Sequence, residues 1–121
     1  MYNLKKKFPI IYKNQSISEA ITQITKSKIK ILFVVDKKNK LIGSISSGDL
    51  RRSIRKKIDL NQSVEKIMFN KPKYFIKNGK YHKSLKDLIC IPVVNKKKQI
   101  VDLEFNKKYI QAKKNTVFLM A

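Results

Sequence analysis

Residues 31–50 read ILFVVDKKNKLIGSISSGDL, and the architecture of the chain follows from this stretch. Residues 33–35 form a β-branched and aromatic run that is typical of a buried strand. Residues 37–40 are polar and predict a hairpin turn. Residues 41–45 bring a return strand. A helix is predicted to open at residues 46–49, so the stretch predicts strand, turn, strand and helix start.

The same pattern occurs again 59 positions later. Residues 90–104 read CIPVVNKKKQIVDLE, which places Val34-Val35 on Val93-Val94 and Lys37-Lys38 on Lys96-Lys97. Strand, basic turn and strand recur together, which indicates an internal repeat. Since a repeat fixes the architecture, two units of roughly 60 residues are expected and not one irregular domain.

The size and composition of the chain narrow its class. A chain of 121 residues holds one compact domain or two very small ones sharing a core. No apolar run approaches the roughly 20 residues that span a bilayer, and the amino-terminal residues do not resemble a signal peptide. Cys90 is the only cysteine, which excludes an internal disulfide and a cysteine-pair metal site. We therefore expect a cytoplasmic protein with no membrane partner.

The net charge of +21 points to anionic partners, among them nucleic acid, a membrane surface or a phosphorylated ligand. However, 26 of the 29 basic residues are lysines. Arginine dominates bidentate contacts to phosphate and guanine, so a sequence-reading protein is normally richer in it. The abundance of Lys, Ile and Asn is instead typical of A/T-rich codon usage, and nucleic acid is not the favoured partner.

Two helices are predicted in the first half, after a lead-in strand at residues 8–12. The first begins at Ser16, which forms a capping-box spacing with Glu19. Its apolar residues fall at positions i, i+3, i+4 and i+7 of one face, namely Ile17, Ala20, Ile21 and Ile24. The second helix covers residues 48–57, with Leu50, Ile54 and Ile58 expected on its buried side.

The second half repeats these features in weaker form. It is predicted to begin with a helical turn at residues 64–68, which ends before Pro72. The following segments are a lead-in strand at 74–76, a turn at Asn78-Gly79, an abbreviated helix with Leu85, Leu88 and Ile89, and strands at 91–94 and 100–103. Residues 116–121, TVFLMA, begin a further buried-strand pattern.

With these motifs identified, the chain resembles a tandem cystathionine-β-synthase (CBS) domain pair, also called a Bateman module. Residues 42–50, IGSISSGDL, match the family's apolar-Gly-apolar stretch followed by Thr/Ser-x-x-Asp. Residues 65–68, EKIM, are similar to the element that opens a second CBS unit. The resemblance covers about residues 1–110. It implies an α/β fold of two CBS units related by a pseudo-twofold axis, at 1–62 and 63–110, with the second unit degenerate.

The carboxyl-terminal residues carry a second resemblance. Residues 117–121, VFLMA, are similar to the first strand of a sugar-phosphate nucleotidyltransferase, whose phosphate loop is not in this chain. The resemblance implies that residues 111–121 are a linker and the first strand of such a domain. It therefore implies a regulatory module attached to a nucleotidyltransferase and no catalytic activity in these 121 residues.

The CBS resemblance also implies a ligand site in the cleft between the two units. In that family the hydroxyl at the helix start meets phosphate or ribose, and the Asp three residues later accepts hydrogen bonds from the ribose. The ligand is usually of the adenosine type, such as AMP, ADP or ATP. Carried onto this sequence, the hydroxyl and carboxylate are Ser46 and Asp49, the residues that flank the base are Ile31, Leu32 and Ile45, and the phosphate partners are Arg51 or Arg52.

Alternative interpretations of these residues remain open. Ser46 and Asp49 also suit an ordinary helix cap. In the second repeat they align with Phe105 and Lys108, so a second site is expected to be degenerate. Two alternative functions are therefore a ligand-free dimerisation unit, since the CBS resemblance implies a homodimer formed through the helices, and a basic nucleic-acid-binding unit. His82 is a lone loop residue, and no cofactor or metal site is predicted.

Overall fold

The computed structural model describes residues 9–79 and 90–105. The chain divides into two compact units, Met1–Pro72 and Lys73–Ala121. Each unit contains one three-stranded sheet, and the described residues also include two α-helices. The mixed α/β class predicted from the sequence is therefore confirmed.

The first unit is a small sheet with two helices. Its sheet has the order β1-β2-β3, with β1 parallel and β3 antiparallel to the central strand β2. The elements in chain order are β1 (Ile10–Tyr12), α1 (Ile17–Lys26), β2 (Ile31–Val35), β3 (Leu41–Ser46), α2 (Ser47–Arg55) and a 3-10 turn (Val64–Lys66).

Helix α1 begins where its capping box was predicted. The backbone N–H of Glu19 donates to Ser16 Oγ at 3.0 Å, and the Glu19 carboxylate accepts from the Ser16 N–H at 3.4 Å. Ile17, Ala20 and Ile24 are buried along one face, as the helical periodicity predicted. Local sequence therefore sets both the start of this helix and the face that it buries.

The core of the first unit lies between the sheet and the two helices. The fully buried side chains of this core come from every strand of the first sheet, from α1 and from the segment after α2. Almost no water reaches them. The buried cluster consists of Ile11, Ile17, Ala20, Ile24, Leu32, Val34, Ile45, Leu50 and Val64. Burial of such side chains stabilises a fold by about 1.5–3 kcal/mol each, so this cluster fixes how the helices lie on the sheet.

The buried side of α2 differs from the prediction. Leu50 is buried as expected, but Ile54 is 52% exposed and Ser53 is 2% exposed. The Ser53 hydroxyl donates to the carbonyl oxygen of Asp49 at 2.9 Å, which satisfies it inside the core. The prediction that Ile54 is buried is therefore wrong, because the way α2 leaves strand β3 places Ser53 on its inner side.

The boundary between the units also differs from the sequence-based one at residue 62. Val64 is fully buried in the core of the first unit, and its N–H donates to the Gln15 carbonyl at 2.9 Å. Ser44 and Phe69 exchange two backbone hydrogen bonds, of 3.0 and 2.9 Å. The segment up to Pro72 therefore packs on the first unit. Because of these hydrophobic and backbone contacts, the boundary between the two units lies between residues 72 and 73, and not after residue 62.

The second unit repeats the sheet of the first. Strands β4 (Phe75–Ile76), β5 (Cys90–Val94) and β6 (Ile100–Phe105) have the order β4-β5-β6, again with one parallel and one antiparallel pair. Both hairpins contain a register shift at the same point, between Val34 and Val35 in the first and between Val93 and Val94 in the second. Since these positions are 59 residues apart, the two sheets confirm the repeat.

The two hairpin turns share one hydrogen-bonding design. Oδ1 of Asp36 accepts from the N–H groups of Lys38 and Lys40, at 2.8 and 3.0 Å. Oδ1 of Asn95 accepts from Lys97 and Gln99, at 2.9 and 3.0 Å. Asn39 and Lys98 both have φ of 65°, the left-handed conformation that closes each turn. The turn therefore needs a side-chain oxygen, and it forms with or without a charge.

Several predicted features lie outside the described residues. These are the first residues of the lead-in strand, the abbreviated second-half helix, His82, Lys108 and the strand pattern at 116–121.

Candidate functional site

Ser46 lies where strand β3 runs directly into helix α2. It pairs with Ile31 across the sheet, and the N–H of Ser47 donates to the carbonyl of Lys30 at 3.2 Å. No loop separates strand and helix, so the sheet fixes the position of the first helical turn. The free N–H groups and the positive end of the helix dipole are thereby held at the end of the sheet.

A capping box joins Ser46 and Asp49. Ser46 Oγ accepts from the Asp49 N–H at 3.2 Å, and Asp49 Oδ2 accepts from the Ser46 N–H at 2.8 Å. The two side chains also contact each other, with Ser46 Oγ 3.0 Å from Asp49 Oδ2. Both are half-buried. The ordinary helix-cap interpretation of these residues is therefore confirmed.

The second carboxylate oxygen of Asp49 faces an arginine. Oδ1 forms an ion pair with Arg52, one helical turn further along α2. The side chain of Arg52 is 56% exposed and that of Asp49 is 21% exposed, so the pair lies at the surface and is readily exchanged. The guanidinium also lies over the first turn, since a Cβ on Gly48 would be 3.7 Å from its Nη1. Oδ2 of the carboxylate thus accepts the hydrogen bond of the cap, and Oδ1 can exchange Arg52 for another partner.

The apolar residues predicted to flank a base do not all reach the surface. Leu32 and Ile45 are a cross-strand pair, and both are fully buried in the core cluster of the first unit. The prediction that these two side chains contact a ligand is therefore corrected, and both are core residues. The reason is that alternate residues of a strand face opposite sides of the sheet. Ile31 is half-buried beside Ser46, where a ligand can reach it.

The arginines predicted to bind phosphate occupy different surroundings. Arg52 lies at the first turn of α2 with Asp49, so the structure brings it together with the predicted polar pair. Arg51 is exposed on the same helix, and no hydrogen bond or ion pair places it beside Ser46 within the described residues. The signal that separates the two is the i, i+3 spacing from Asp49 to Arg52.

The second unit lacks this chemistry at the equivalent strand end. Phe105 pairs with Cys90 at the end of β6, as Ser46 pairs with Ile31 at the end of β3. A phenylalanine offers no hydroxyl for a cap or a ligand. Lys108, which replaces the carboxylate in the alignment, is outside the described residues.

Other kinds of site have no counterpart in the part of the chain that the structure describes. Within residues 9–79 and 90–105, no three His, Cys, Asp or Glu side chains are grouped so as to hold a metal ion. Among those residues there is also no helix with the length and apolar character needed to cross a membrane.

Residues 3–56 match the family model described as CBS domain. This part of the chain is similar to a CBS domain. The match covers the first sheet, both helices and the Ser46–Asp49 cap, so the candidate site lies inside it. The resemblance predicted from residues 42–50 is thereby confirmed for the first unit.

Solved structures extend the likeness to both units. A CBS domain protein from Pyrobaculum aerophilum complexed with AMP has a TM-score of 0.69 and 15% identity, over 89% of this chain and 92% of that one. The CBS domain pair of protein MJ0100, in complex with 5′-methylthioadenosine and S-adenosyl-L-methionine, has a TM-score of 0.67 and 22% identity, over 92% and 91%. At these identities the comparison shows the fold, which is that of a CBS pair.

A protein of Rickettsia prowazekii is similar to this chain over most of the chain's length. It is 33% identical over 92 residues, which are 72% of this chain and 28% of that protein. The aligned region is thus less than a third of the length of this curated relative, and the chain spans only part of it.

Proposed function

We propose that the CBS domain of the first unit binds an adenine nucleotide at the start of α2, and that the module thereby regulates an attached enzyme. The observation that carries this proposal is the exchangeable oxygen of Asp49, held beside the Ser46 hydroxyl at the end of β3. One protein of the same fold is solved with AMP, and another with 5′-methylthioadenosine and S-adenosyl-L-methionine, which supports an adenosine-type ligand.

The binding chemistry follows from the cap. A ribose hydroxyl donates to Asp49 Oδ1 and takes the place of Arg52, whose long exposed side chain then turns to the phosphate. The ligand phosphate gains the free N–H groups and positive dipole of the first turn of α2. Oδ2 remains on the Ser46 N–H, so the helix start is kept while the ligand binds. Ile31 supplies apolar contact beside the ribose.

A ligand-free structural module is the second candidate. One observation favours it, since the cap already satisfies Ser46 and Asp49. No buried side-chain nitrogen or oxygen of the described residues lacks a hydrogen-bond partner. A site of this kind needs no ligand to be stable. The two candidate functions therefore differ in whether Ser46 and Asp49 contact a ligand in addition to capping α2.

The attached enzyme, the subunit arrangement and the location remain proposals from the two resemblances. We expect a sugar-phosphate nucleotidyltransferase beyond residues 117–121, a homodimer formed through the CBS helices and a cytoplasmic location. The sequence match to a relative more than three times the length of the aligned region agrees with a module in a longer protein.

Thermal unfolding with nucleotides tests the proposal. The chain is heated with millimolar AMP, ADP, ATP, 5′-methylthioadenosine or S-adenosylmethionine, with GTP and CTP as specificity controls. A ligand at 100 times its Kd stabilises the folded state by about 2.7 kcal/mol, which raises Tm by several degrees in a domain of this size. No shift with any adenosine compound, in a chain that unfolds cooperatively, rejects the nucleotide site and leaves the structural module.

The α1 cap provides a matched control for α2. Asp49→Asn is expected to remove the shift, because a neutral amide oxygen is a weaker acceptor for the ribose hydroxyl than a carboxylate oxygen is. Glu19→Gln makes the equivalent change in the capping box of α1, which has no role in the proposal. If both variants lose the nucleotide response equally, the effect belongs to stability and not to ligand contact.

A further inference from the structure

Phe69 places an aromatic side chain in water beside strand β3. Its side chain is 56% exposed, whereas Phe33 and Phe75 in the sheets are 2% and 6% exposed. Its backbone is fixed all the same, because Phe69 and Ser44 exchange two hydrogen bonds of 3.0 and 2.9 Å. A single exposed apolar side chain is common on protein surfaces. The function of this ring therefore depends on the groups that lie next to it.

Phe69 lies on the side of the first sheet that faces away from the hydrophobic core. Its neighbour Met68 packs on the core and contacts the position that a Cβ of Gly43 would occupy. Successive side chains of an extended segment point to opposite faces, so the side chain of Phe69 takes the other face. Ser44 is the cross-strand partner of Phe69, and paired residues share one face. Ser44 and Phe69 therefore lie together on the face opposite to the core.

The same face carries two residues of the proposed nucleotide site. Ser46 follows Ser44 by two positions in β3, and Ile31 is its cross-strand partner in β2. Phe69 and Ser46 are therefore diagonal neighbours, whose Cα atoms lie about 7–8 Å apart, within reach of an aromatic side chain. Ile31 and Phe69 thus lie on either side of β3, with the Ser46 hydroxyl between them.

We propose that Phe69 stacks on the base of the nucleotide bound at Ser46 and Asp49, and that this contact makes the site prefer a purine. The inference rests on the proposed nucleotide site and adds the residue that recognises the base. An aromatic ring and a nucleobase stack on each other whatever the hydrogen-bonding edge of the base. A purine gains more than a pyrimidine, because its two fused rings cover more of the phenyl face.

The position of the ring supplies the apolar contact that the site otherwise lacks. The sequence assigned base contact to Leu32 and Ile45, but both are buried in the core. With the phosphate at the first turn of α2 and the ribose at Asp49, the base extends back over β3 toward Phe69. Because the two backbone hydrogen bonds already hold this residue on β3, little backbone order is lost when the base binds.

A fluorescent variant tests the stacking directly. The chain has no tryptophan, so Phe69→Trp introduces a single indole, whose emission a stacked base quenches. We expect AMP to quench this emission saturably, and ribose 5-phosphate, which has no base, to leave it unchanged. Tyr12→Trp is the matched control. Tyr12 is a 46% exposed aromatic side chain of the same unit, but it pairs with Val35 at the other end of β2. Its variant should show no saturable quenching.

Titration calorimetry with the whole chain measures the contribution of the ring. Phe69→Ala is expected to weaken AMP binding about tenfold, a loss of about 1.4 kcal/mol. The affinity for UMP should fall less, and that for ribose 5-phosphate should not change. Tyr12→Ala should alter none of the three affinities. Since both aromatic side chains are exposed, the Tm of each variant should stay close to that of the parent chain.

Four results would overturn the proposal. Unchanged AMP affinity in Phe69→Ala would leave the nucleotide site in place and remove the stacking contact. An equal loss of affinity for AMP and ribose 5-phosphate would assign Phe69 to the position of β3 and not to the base. Equal quenching of Phe69→Trp and Tyr12→Trp would show random collision with AMP. If no adenosine compound binds the parent chain, the nucleotide site itself is rejected, and the role of Phe69 with it.

Discussion

The side chain of Met68 lies directly over Gly43. A Cβ built on Gly43 would be 2.5 Å from the Met68 sulfur, 2.9 Å from its Cγ and 3.0 Å from the carbonyl oxygen of Phe69. The glycine therefore lets the segment after the 3-10 turn approach strand β3, where Ser44 and Phe69 exchange their two backbone hydrogen bonds. This contact explains why the apolar-Gly-apolar motif needs a glycine.

We predict that Gly43→Ala destabilises the fold by about 1–3 kcal/mol, because the methyl group forces Met68 and the backbone at Phe69 away from β3. Gly48→Ala is the control, since its Cβ meets only ordinary contacts of 3.6 and 3.7 Å. Alanine also suits a helix better than glycine, so that variant should be neutral or stabilised by up to about 1 kcal/mol. Urea unfolding of both variants measures the difference, and a neutral Gly43→Ala would show that the contact is not tight.

The two capping boxes make a second prediction. Ser46→Ala and Ser16→Ala should each cost about 1 kcal/mol of stability, because each removes the acceptor for one helix N–H group. Only Ser46→Ala is expected to weaken nucleotide binding as well, measured by titration calorimetry. Equal affinities in the two variants would assign Ser46 to the cap alone.

We predict that the hairpin turn of the first unit responds to pH and that the turn of the second unit does not. Backbone hydrogen bonding from Lys40 is the main cause that holds the pKa of Asp36 below its ordinary value of 3.8. The ionised form is therefore favoured by folding, and its contribution is present above pH 3.8 and lost as the pH falls through the lowered pKa.

Amide NMR shifts of Lys38 and Lys40 should report this titration. Those of Lys97 and Gln99 should not move over the same range, because Asn95 has no carboxyl group to protonate. Asp36→Asn should abolish the response and keep the turn. A turn that opens in this variant would show that the charge, and not the oxygen, holds it together.

Cys90 should be unreactive in the folded chain. Burial raises the pKa of its thiol to about 12 from an ordinary value of 9.0. Its neutral form is favoured by folding, so this contribution is present below pH 9.0 and lost as the pH rises toward 12. At pH 8 we expect slow alkylation by iodoacetamide in buffer and fast alkylation in guanidinium chloride. Equal rates would mean that strand β5 opens readily.

Local features of the fold were predictable from the sequence because short-range interactions determine them. The capping boxes at Ser16 and Ser46 join residues three positions apart. The hairpin turns at Asp36 and Asn95 close on their own side-chain oxygens. The repeat was visible for the same reason, since each hairpin carries its own strand and turn signals.

The candidate site was predictable only in part. The Ser46–Asp49 spacing gave the polar pair, and the next turn of the helix gave Arg52. The same pattern did not show that Leu32 and Ile45 face the core, because a strand that is apolar at every position does not reveal which side of it is covered.

The sequence by itself determined the α/β class, the repeated hairpins and the starts of both helices, through hydrogen bonds and periodicities that span a few residues. Only the tertiary structure decided that Ser53 faces the core and Ile54 faces the solvent, and that residues 63–72 pack on the first unit. Because β3 connects to α2 without a loop, the strand determines the rotation of α2 about its axis, and the apolar pattern of the helix does not. The close approach at Gly43 brings in a segment distant in sequence, and no local pattern encodes such a contact.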